Sequence, residues 1–252
     1  MISVSSPIFS LIDFEMALGF IDQHFDAWEI MGEGNHHLLS IMDTFHEITP
    51  SYDMTFSAHA PVTAVNIGSL NNRIREAGVR ELIAGLEAAN HMNMDTYTIH
   101  PGIWTHAALL AKERAFEALR KSLVEIDRAA RDLGVRVAME NMPGHYFFMG
   151  KRPEELLHFL EGTDIGICFD IGHAHVAGTL DSFLEKTPEF VNVHIHDNNG
   201  KSDEHLKIGD GNIDFRRVLA GMNGYREKIV IESRSLKDAV EGKRALMEFM
   251  DF

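Results

Sequence analysis

Eight short runs rich in β-branched and aromatic residues recur along the chain, each separated from the next by a longer segment with helix-like spacing of apolar residues. The runs are ISVS at 2–5, AWEIM at 27–31, MTFSAHA at 54–60, DTYTIH at 95–100, VRVAMEN at 135–141, IGICFDI at 165–171, FVNVHIHD at 190–197 and KIVIES at 228–233. Strands that alternate with helices form right-handed βαβ units and a parallel sheet. The alternation therefore predicts an α/β fold.

The clearest helix lies between the fourth and fifth runs, where apolar residues recur at helical spacing from Leu109 to Leu133 and Gly134 offers a stop. Further helices are predicted at 81–89, 153–160, 215–222 and 236–250, whereas the segments after the first, second and sixth runs are less clearly helical. Eight strand–helix units in 252 residues match the usual size of a (β/α)8 TIM barrel. We predict this barrel as a single domain over residues 1–252. A doubly wound open sheet is the alternative.

Charge and composition narrow the expected partners and compartment. The formal net charge of −15 would repel a polyanion on average, so a small substrate is favoured and nucleic acid is disfavoured without being excluded. No stretch approaches the roughly 18 apolar residues of a membrane span, and the N-terminus lacks a basic segment, so we expect a cytoplasmic protein with no membrane partner. Cys168 is the only cysteine, so any metal must be held by nitrogen and oxygen.

Ligand-type side chains end six consecutive predicted strands, from the third to the eighth. In chain order they are His59, His100, Glu140, Asp170 with His173 just beyond it, His194 and Glu232. Asp203 and His205 follow in the loop after the seventh strand, and glycines at 200, 209 and 211 would let that loop fold over the rim. Active sites of such barrels lie at the carboxyl ends of the strands. The nine side chains are therefore predicted to meet in one site.

Metal ions are the simplest reason for these residues to gather. Any one of them alone could be a structural hydrogen-bonding group, and it is their coincidence at one rim that indicates a site. Carboxylates meeting in a barrel mouth would repel one another by about 2 to 3 kcal/mol per pair, and no Lys or Arg ends the first seven strands. Five imidazoles with four carboxylates suit zinc, manganese, cobalt or iron better than calcium or magnesium. We expect one to three divalent ions per chain, with zinc or manganese favoured.

The other histidines are interpreted as structural or exposed residues. His196 shares the face of His194 and is ranked as a structural residue or one that contacts a ligand, and Asp197 is interpreted as a group that orients a histidine ligand. His36 and His37 are interpreted as loop or helix-start residues. Histidines 24, 46, 91 and 158 fall on predicted helices and are interpreted as surface or packing residues.

As an ordered set, the motifs of this chain resemble those of the xylose isomerase-like TIM barrels, the superfamily that joins sugar isomerases and epimerases with endonuclease IV. The motifs are HAP at 59–61, HPG at 100–102, EN at 140–141, DIGHAHVAG at 170–178, VHIHDN at 193–198, DEHLKIGDGNIDF at 203–215 and IES at 231–233. The resemblance covers most of the chain. It implies the same barrel fold and a metal-dependent activity.

Two ligand patterns are implied by this resemblance. The endonuclease IV-like pattern has one metal on His59, His100 and Glu140, a second on Glu140, Asp170, His194 and Glu232, and a third on His173, Asp203 and His205. The epimerase pattern has one metal on Glu140, Asp170, His194 and Glu232. In that pattern Glu140 and Glu232 also move protons on opposite faces of a ketose, and His173 touches substrate oxygens.

The number of ions separates two chemistries. One divalent ion among four carboxylates leaves a formal charge near −2, which suits deprotonation of a hydroxy-ketone through a metal-stabilised enediolate. Three ions leave about +2, which suits attack of a metal-bridging hydroxide on a phosphate ester. The net charge and the loop motif favour an isomerase or epimerase acting on a sugar or sugar phosphate. The alternatives are an endonuclease IV-like phosphodiesterase and a barrel that binds metal or a small ligand without turnover.

Each pattern has one departure in this chain. Ketose epimerases of the tagatose type usually have an arginine six residues beyond the metal histidine, where this chain has Gly200. Endonucleases IV typically have Asp-Arg-His where this chain has Asp-Glu-His at 203–205, which removes a basic residue useful against phosphate.

Overall fold

Eight parallel strands close into a barrel within the part of the chain that the computed structural model describes, residues 1–62 and 65–250. The strands are β1 (Ile2–Ser5), β2 (Ala27–Met31), β3 (Thr55–His59), β4 (Thr96–Ile99), β5 (Arg136–Glu140), β6 (Gly166–Asp170), β7 (Phe190–Ile195) and β8 (Ile229–Glu232). They follow one another around the barrel in chain order, and β1 pairs with β8 from Ile2 opposite Ile229 to Ser5 opposite Glu232. This closure confirms the TIM barrel and excludes the open sheet.

Helices follow the strands around the outside of the barrel. Within the described residues they are α1 (Phe14–Ile21), α2 (Leu38–Ile48), α3 (Asn72–His91), α4 (His106–Leu110), α5 (Lys112–Leu133), α6 (Pro153–Leu160), α7 (Ile171–Ala177), α8 (Leu180–Leu184), α9 (Phe215–Gly221) and α10 (Leu236–Met250). The three segments whose sequence pattern was unclear are thus also helical. The prediction of one continuous helix from Leu109 was wrong, because the backbone of Ala111, at φ −142° and ψ 55°, separates α4 from α5. Gly134 ends α5 in the left-handed conformation, as predicted.

Successive side chains of β2 show how the barrel separates its apolar and polar interiors. Trp28 packs outward against Phe14 of α1, with ring centroids 5.3 Å apart. Glu29, the next residue, lies inside the barrel and accepts hydrogen bonds from Asn192 of β7 and Ser57 of β3. Adjacent side chains of a strand point to opposite faces. The apolar core therefore lies between strands and helices, while the barrel interior around Glu29, Ser57 and Asn192 is polar.

Four residues lie outside the described part of the chain: Thr63, Ala64, Asp251 and Phe252. That residues 1–252 form a single domain stays a prediction. No helix within residues 1–62 and 65–250 is both long and apolar enough to span a membrane.

Candidate metal centre

Glu140, the last residue of β5, lies at the middle of the predicted site and is 1% exposed. Nε2 of His59, at the end of β3, and Nε2 of His100, one residue beyond β4, each lie 3.0 Å from its Oε2 atom. Nδ1 of His173, on the first turn of α7, lies 3.0 Å from its Oε1 atom. Three imidazoles, from the ends of β3 and β4 and from the first turn of α7, thus face one carboxylate.

The last two strands complete the inner part of the rim. Nδ1 of His194 on β7 lies 3.2 Å from Oε1 of Glu232 on β8 and 3.7 Å from Oε2 of Glu140. One potential ligand atom from each of Asp170, His194 and Glu232 lies within 4.8 Å of the others. The same spacing holds for Glu140, Asp170 and His173. The strand-end residues predicted from the sequence therefore form one continuous cluster.

The loop after β7 returns to the rim with Asp203 and His205, as the sequence predicted. Nε2 of His205 lies 3.2 Å from Oδ2 of Asp203, and its Nδ1 lies 3.5 Å from Oε2 of Glu232. Nε2 of His173 lies 3.4 Å from the same Oδ2 atom of Asp203. All nine predicted residues are thus brought together by the barrel and this loop.

Asp197 has a different contact from the one expected. Its carboxylate accepts hydrogen bonds from the backbone N–H groups of four loop residues, Asn198, Gly209, Gly211 and Ile213. It is fully buried, and a Cβ atom at position 211 would lie 2.3 Å from its Oδ1. The interpretation of Asp197 as a group that orients a histidine is corrected, since it fastens the loop backbone to the end of β7.

Two of the histidines, His59 and His173, use one ring nitrogen for a backbone carbonyl and turn the other toward a carboxylate. Nδ1 of His59 lies 2.8 Å from the carbonyl oxygen of Ala60, and Nδ1 of His173 lies 2.9 Å from that of Asn141. A carbonyl can only accept, so these nitrogens carry the proton. The second nitrogen then keeps its lone pair for a ligand. Such outer contacts are typical of metal-binding imidazoles.

Glu29 is a site residue that strand-end reasoning missed. It is 0% exposed, and its Oε1 accepts from Nε2 of His194 at 2.8 Å. Asn192 Nδ2 and Ser57 Oγ donate to its Oε2 at 2.8 and 3.2 Å. The signal in the sequence was a single carboxylate inside the otherwise apolar run AWEIM. Glu29 stands two residues before the end of β2, so its position does not mark it as a residue of the rim.

His196 was predicted to be a structural residue or one that contacts a ligand. In the structure it lies among the candidate metal ligands. It is fully buried, and its Nε2 lies 3.3 Å from Oδ1 of Asp203 and 3.4 Å from Oδ1 of Asp170. One potential ligand atom from each of four residues, His173, His196, Asp203 and His205, lies within 4.8 Å of the others. We call these four residues the outer group.

The pKa values of the central groups follow from burial opposed by close opposite charges. Burial alone would raise the pKa of Glu140, but the imidazoles of His100 and His194 hold that pKa well below its usual range. Burial likewise opposes ionisation of Glu232, and His194 beside it lowers the pKa to about 2. Burial disfavours a charged His194, yet surrounding acidic groups, including Glu29 and Glu232, raise its pKa well above the ordinary value. Ionised carboxylates are the form that binds a cation.

The donor set fits a divalent ion. Four buried atoms that face the centre have no hydrogen-bond partner among the described residues: Asp170 Oδ2, His194 Nδ1, His196 Nε2 and Asp203 Oδ1. Buried polar atoms normally have partners, so these need a ligand. Within residues 1–62 and 65–250, no Lys or Arg nitrogen forms an ion pair with the five carboxylates of the site, those of Glu29, Glu140, Asp170, Asp203 and Glu232. Imidazole with carboxylate favours transition-series ions and zinc.

The fold and the site together define a class: a (β/α)8 barrel whose carboxyl rim carries a buried cluster of histidines and carboxylates suited to metal. A family model described as xylose isomerase-like TIM barrel matches residues 20–251, and the chain belongs to that family. The resemblance noted from the motifs is thereby confirmed. Members of the family include enzymes of more than one reaction class.

Three proteins show the kinds of protein to which this chain is similar. An uncharacterised protein of Methanocaldococcus jannaschii, MJ1311, is 36% identical, with 98% of this chain and 88% of that protein covered. A crystal structure described as that of a D-tagatose 3-epimerase-like protein is 34% identical, with a TM-score of 0.92, and the match covers 99% of this chain and 97% of that one. A probable endonuclease 4 of Staphylococcus carnosus is 29% identical over 68% of this chain and 62% of that protein.

Proposed function

We propose that the protein is a metal-dependent isomerase or epimerase of a sugar or sugar phosphate, with zinc or manganese as its ion. The observation that carries this proposal is the pair Glu140 and Glu232, two buried carboxylates on β5 and β8 that both approach Nδ1 of His194, at 3.7 and 3.2 Å. Two carboxylates beside one candidate metal position can serve as proton acceptor and proton donor on two sides of a bound substrate.

Four residues would hold the catalytic ion: Glu140, Asp170, His194 and Glu232. When bound, the ion supplies polarisation of the ketose carbonyl and the neighbouring hydroxyl, which makes the adjacent C–H more acidic. One glutamate carboxylate then removes the proton from that carbon. The other returns a proton to the opposite face, and the configuration is inverted. Glu29 keeps His194 oriented by accepting from Nε2, so that Nδ1 faces the substrate side.

His173 was predicted both to touch substrate and to bind metal. Its Nδ1 hydrogen-bonds the carbonyl oxygen of Asn141, and its Nε2 faces Asp203 at 3.4 Å. Both nitrogens are therefore directed at the protein's own groups. This favours the metal role for His173, and we assign the proton transfers to the two glutamates alone.

The substrate class follows from charge. The chain carries a formal net charge of −15, and Lys207, two residues beyond His205, is paired with Glu241 at 3.0 Å. A small sugar enters such a mouth at lower electrostatic cost than a polyanion does. The likeness to a D-tagatose 3-epimerase-like protein supports a ketose. Gly200 stands where tagatose-type epimerases have an arginine, which favours a ketose that such an arginine does not recognise.

A second candidate is phosphodiester hydrolysis of the endonuclease IV type. It is favoured by His59 and His100, which both face Oε2 of Glu140 although a single ion on the four catalytic ligands would not need them. With three ions bound the same rim would be positively charged and would attract a phosphate ester. Glu204 opposes it, since this residue places a further carboxylate beside Asp203 where those nucleases have arginine.

Solvent deuterium exchange tests the first candidate without knowledge of the exact product. Ketopentoses, ketohexoses and their phosphates are incubated with the manganese- or zinc-loaded protein in D2O, and deuterium next to the carbonyl is measured by NMR. We expect exchange and epimer formation with at least one sugar. Glu232→Gln should lower the rate by about 100-fold or more while metal is still bound.

Glu204→Gln is the matched control, because Glu204 accepts from Asn199 in the loop and faces no histidine of the site in the contacts described. Its exchange rate should equal that of the parent. If no sugar acquires deuterium, the isomerase proposal is wrong. Cleavage of abasic-site DNA by the zinc-loaded protein would then establish the second candidate, and inactivity in both assays would leave a barrel that binds without turnover.

A further inference from the structure

The outer group has the number and type of ligands of a four-coordinate metal site, with one potential ligand atom of each residue within 4.8 Å of the others. Ligand atoms about 2.1 Å from a tetrahedral zinc ion lie about 3.4 Å from one another. Nε2 of His173 and Nε2 of His205 lie 3.4 and 3.2 Å from Oδ2 of Asp203, and Nε2 of His196 lies 3.3 Å from Oδ1 of that residue. Three imidazole nitrogens thus lie 3.2 to 3.4 Å from one or the other oxygen of a single carboxylate, close to the spacing of ligands around one ion.

The protein backbone is shaped to hold the His196 ring in this position. A Cβ atom at position 172 would lie 2.1 Å from Cε1 of His196, so only glycine fits there. The ring also stacks on that of His205, with centroids 3.9 Å apart and planes at 17°. Nδ1 of His196 contacts the carbonyl oxygen of Asp197 at 3.4 Å. The ring orientation is therefore set from three sides, and Nε2 points into the outer group.

Nε2 of His196 faces the carboxylates of Asp170 and Asp203 without forming a hydrogen bond to either. His196 is 0% exposed, and its Nε2 has no hydrogen-bond partner among residues 1–62 and 65–250. Oδ1 of Asp203, which faces this nitrogen, also has no hydrogen-bond partner among the described residues. Asp170 lies 3.4 Å away, outside hydrogen-bond geometry. Two unpartnered ligand atoms facing each other at 3.3 Å are the arrangement expected on either side of a cation.

We propose that His196 is the fourth protein ligand of an ion held by His173, Asp203 and His205, which makes the outer group a closed site of three imidazoles and one carboxylate. This inference rests on the proposed metal centre but adds a ligand that the family resemblance did not supply. A tetrahedral ion with four protein ligands has no position left for substrate and is typical of structural sites. The outer ion would therefore pin the loop that carries Asp203 and His205 to the rim, leaving proton transfer to the inner ligands.

Cobalt substitution and metal competition test the role of His196. His196→Phe keeps a ring against Gly172 and His205 but removes both nitrogens. The matched control is His175→Phe, because His175 lies on the same rim and bonds Asn212 rather than the outer group. Metal per chain, competition with a chelator, and the visible spectrum of the Co²⁺ form, which is intense for tetrahedral ions, are measured for each protein.

We expect His196→Phe to lose the tetrahedral cobalt band and to weaken one ion by more than about 100-fold, beyond the usual effect of an outer contact. The other bound ion and His175→Phe should match the parent. Gly172→Ala, which changes no ligand residue but displaces the His196 ring, should weaken the same ion. An unchanged spectrum and affinity in His196→Phe would overturn the inference, as would simultaneous loss of every ion from a folded variant.

A crystal of the zinc-loaded parent gives a result that needs no variant to fold. The anomalous signal of zinc should lie about 2.1 Å from Nε2 of His196. Absence of zinc from the outer group would overturn this inference while leaving the proposed isomerase intact, since that activity depends on the inner ligands. Conversely, an outer zinc ion in a protein that exchanges no deuterium would support the inference and remove the proposed function.

Discussion

Glu29 and His194, 165 positions apart in the chain, are hydrogen-bonded across the barrel interior, with Oε1 of the glutamate 2.8 Å from Nε2 of the imidazole. Both side chains are fully buried. The contact fixes which nitrogen of His194 carries a proton and leaves Nδ1 facing Glu232 and Glu140. Glu29, on a strand with no predicted ligand, thus determines which ring nitrogen of His194 on β7 faces the site.

Replacing Glu29 with glutamine should weaken metal binding. The amide keeps the size of the side chain but removes the charge that orients and polarises His194, and loss of such an outer contact typically costs about 10- to 100-fold in metal affinity. Competition against a chelator measures the effect. Ser57→Ala is the control. Ser57 donates to Oε2 of Glu29 at 3.2 Å, whereas His194 is bonded to Oε1. Equal affinities in parent and Glu29→Gln would contradict this role.

Asp197→Asn should loosen the loop that carries Asp203 and His205. Each carboxylate oxygen of Asp197 accepts from two backbone N–H groups, so the amide nitrogen of asparagine would face two donors in either orientation. We expect a loss of about 1 to 3 kcal/mol in unfolding free energy and faster hydrogen exchange at Gly209 and Gly211.

The exposed Asp210 in the same loop provides the comparison for that experiment. Its carboxylate contacts Lys207 at 3.4 Å, and Asp210→Asn should change stability by less than about 0.5 kcal/mol. Similar exchange rates at Gly209 and Gly211 in Asp197→Asn and Asp210→Asn would show that Asp197 does not fasten the loop.

Two helical glycines should respond oppositely to alanine. A Cβ atom at position 85 of α3 would lie 2.1 Å from the hydroxyl oxygen of the buried Tyr97, whereas one at position 19 of α1 meets nothing within 4 Å. Gly85→Ala should destabilise by about 1 to 3 kcal/mol through overpacking, and Gly19→Ala should stabilise by up to about 1 kcal/mol. Urea unfolding measures both. Adding Tyr97→Phe should recover part of the Gly85→Ala loss, and no recovery would place the strain elsewhere.

His36 should make folding sensitive to pH. Burial between Phe14 and Trp28 lowers the pKa of His36, and this outweighs the raising effects of the Ile12 carbonyl and Asp13. The unfolded chain then binds more protons than the folded one between the lowered folded pKa and about 6.5, so stability rises with pH through this window and levels off above it. His36→Phe should remove this component. Parallel pH profiles of unfolding free energy for parent and variant would refute it.

The barrel and much of its rim could be predicted from the sequence, because both depend on the spacing of apolar and polar residues within single strands and helices. The alternation of strand runs with helically spaced segments predicts the number and order of the units, and the strand ends place Glu140, His194 and Glu232 on the same rim. The spacing of apolar residues did not predict the break between α4 and α5. It lies at Ala111, whose side chain gives no sign that a helix ends there.

The amino-acid sequence by itself determined which residues end the strands and which chemistry their side chains allow. Only the tertiary structure decided the roles of Glu29, His196 and Asp197. Each depends on a contact made by closure of the barrel or by the path of one loop: Glu29 meets His194 across the interior, His196 lies against the backbone of Gly172, and Asp197 binds loop amides 12 and 14 residues onward. Residue type and strand period set the direction of a side chain, whereas its partner is set by distances that only closed packing defines.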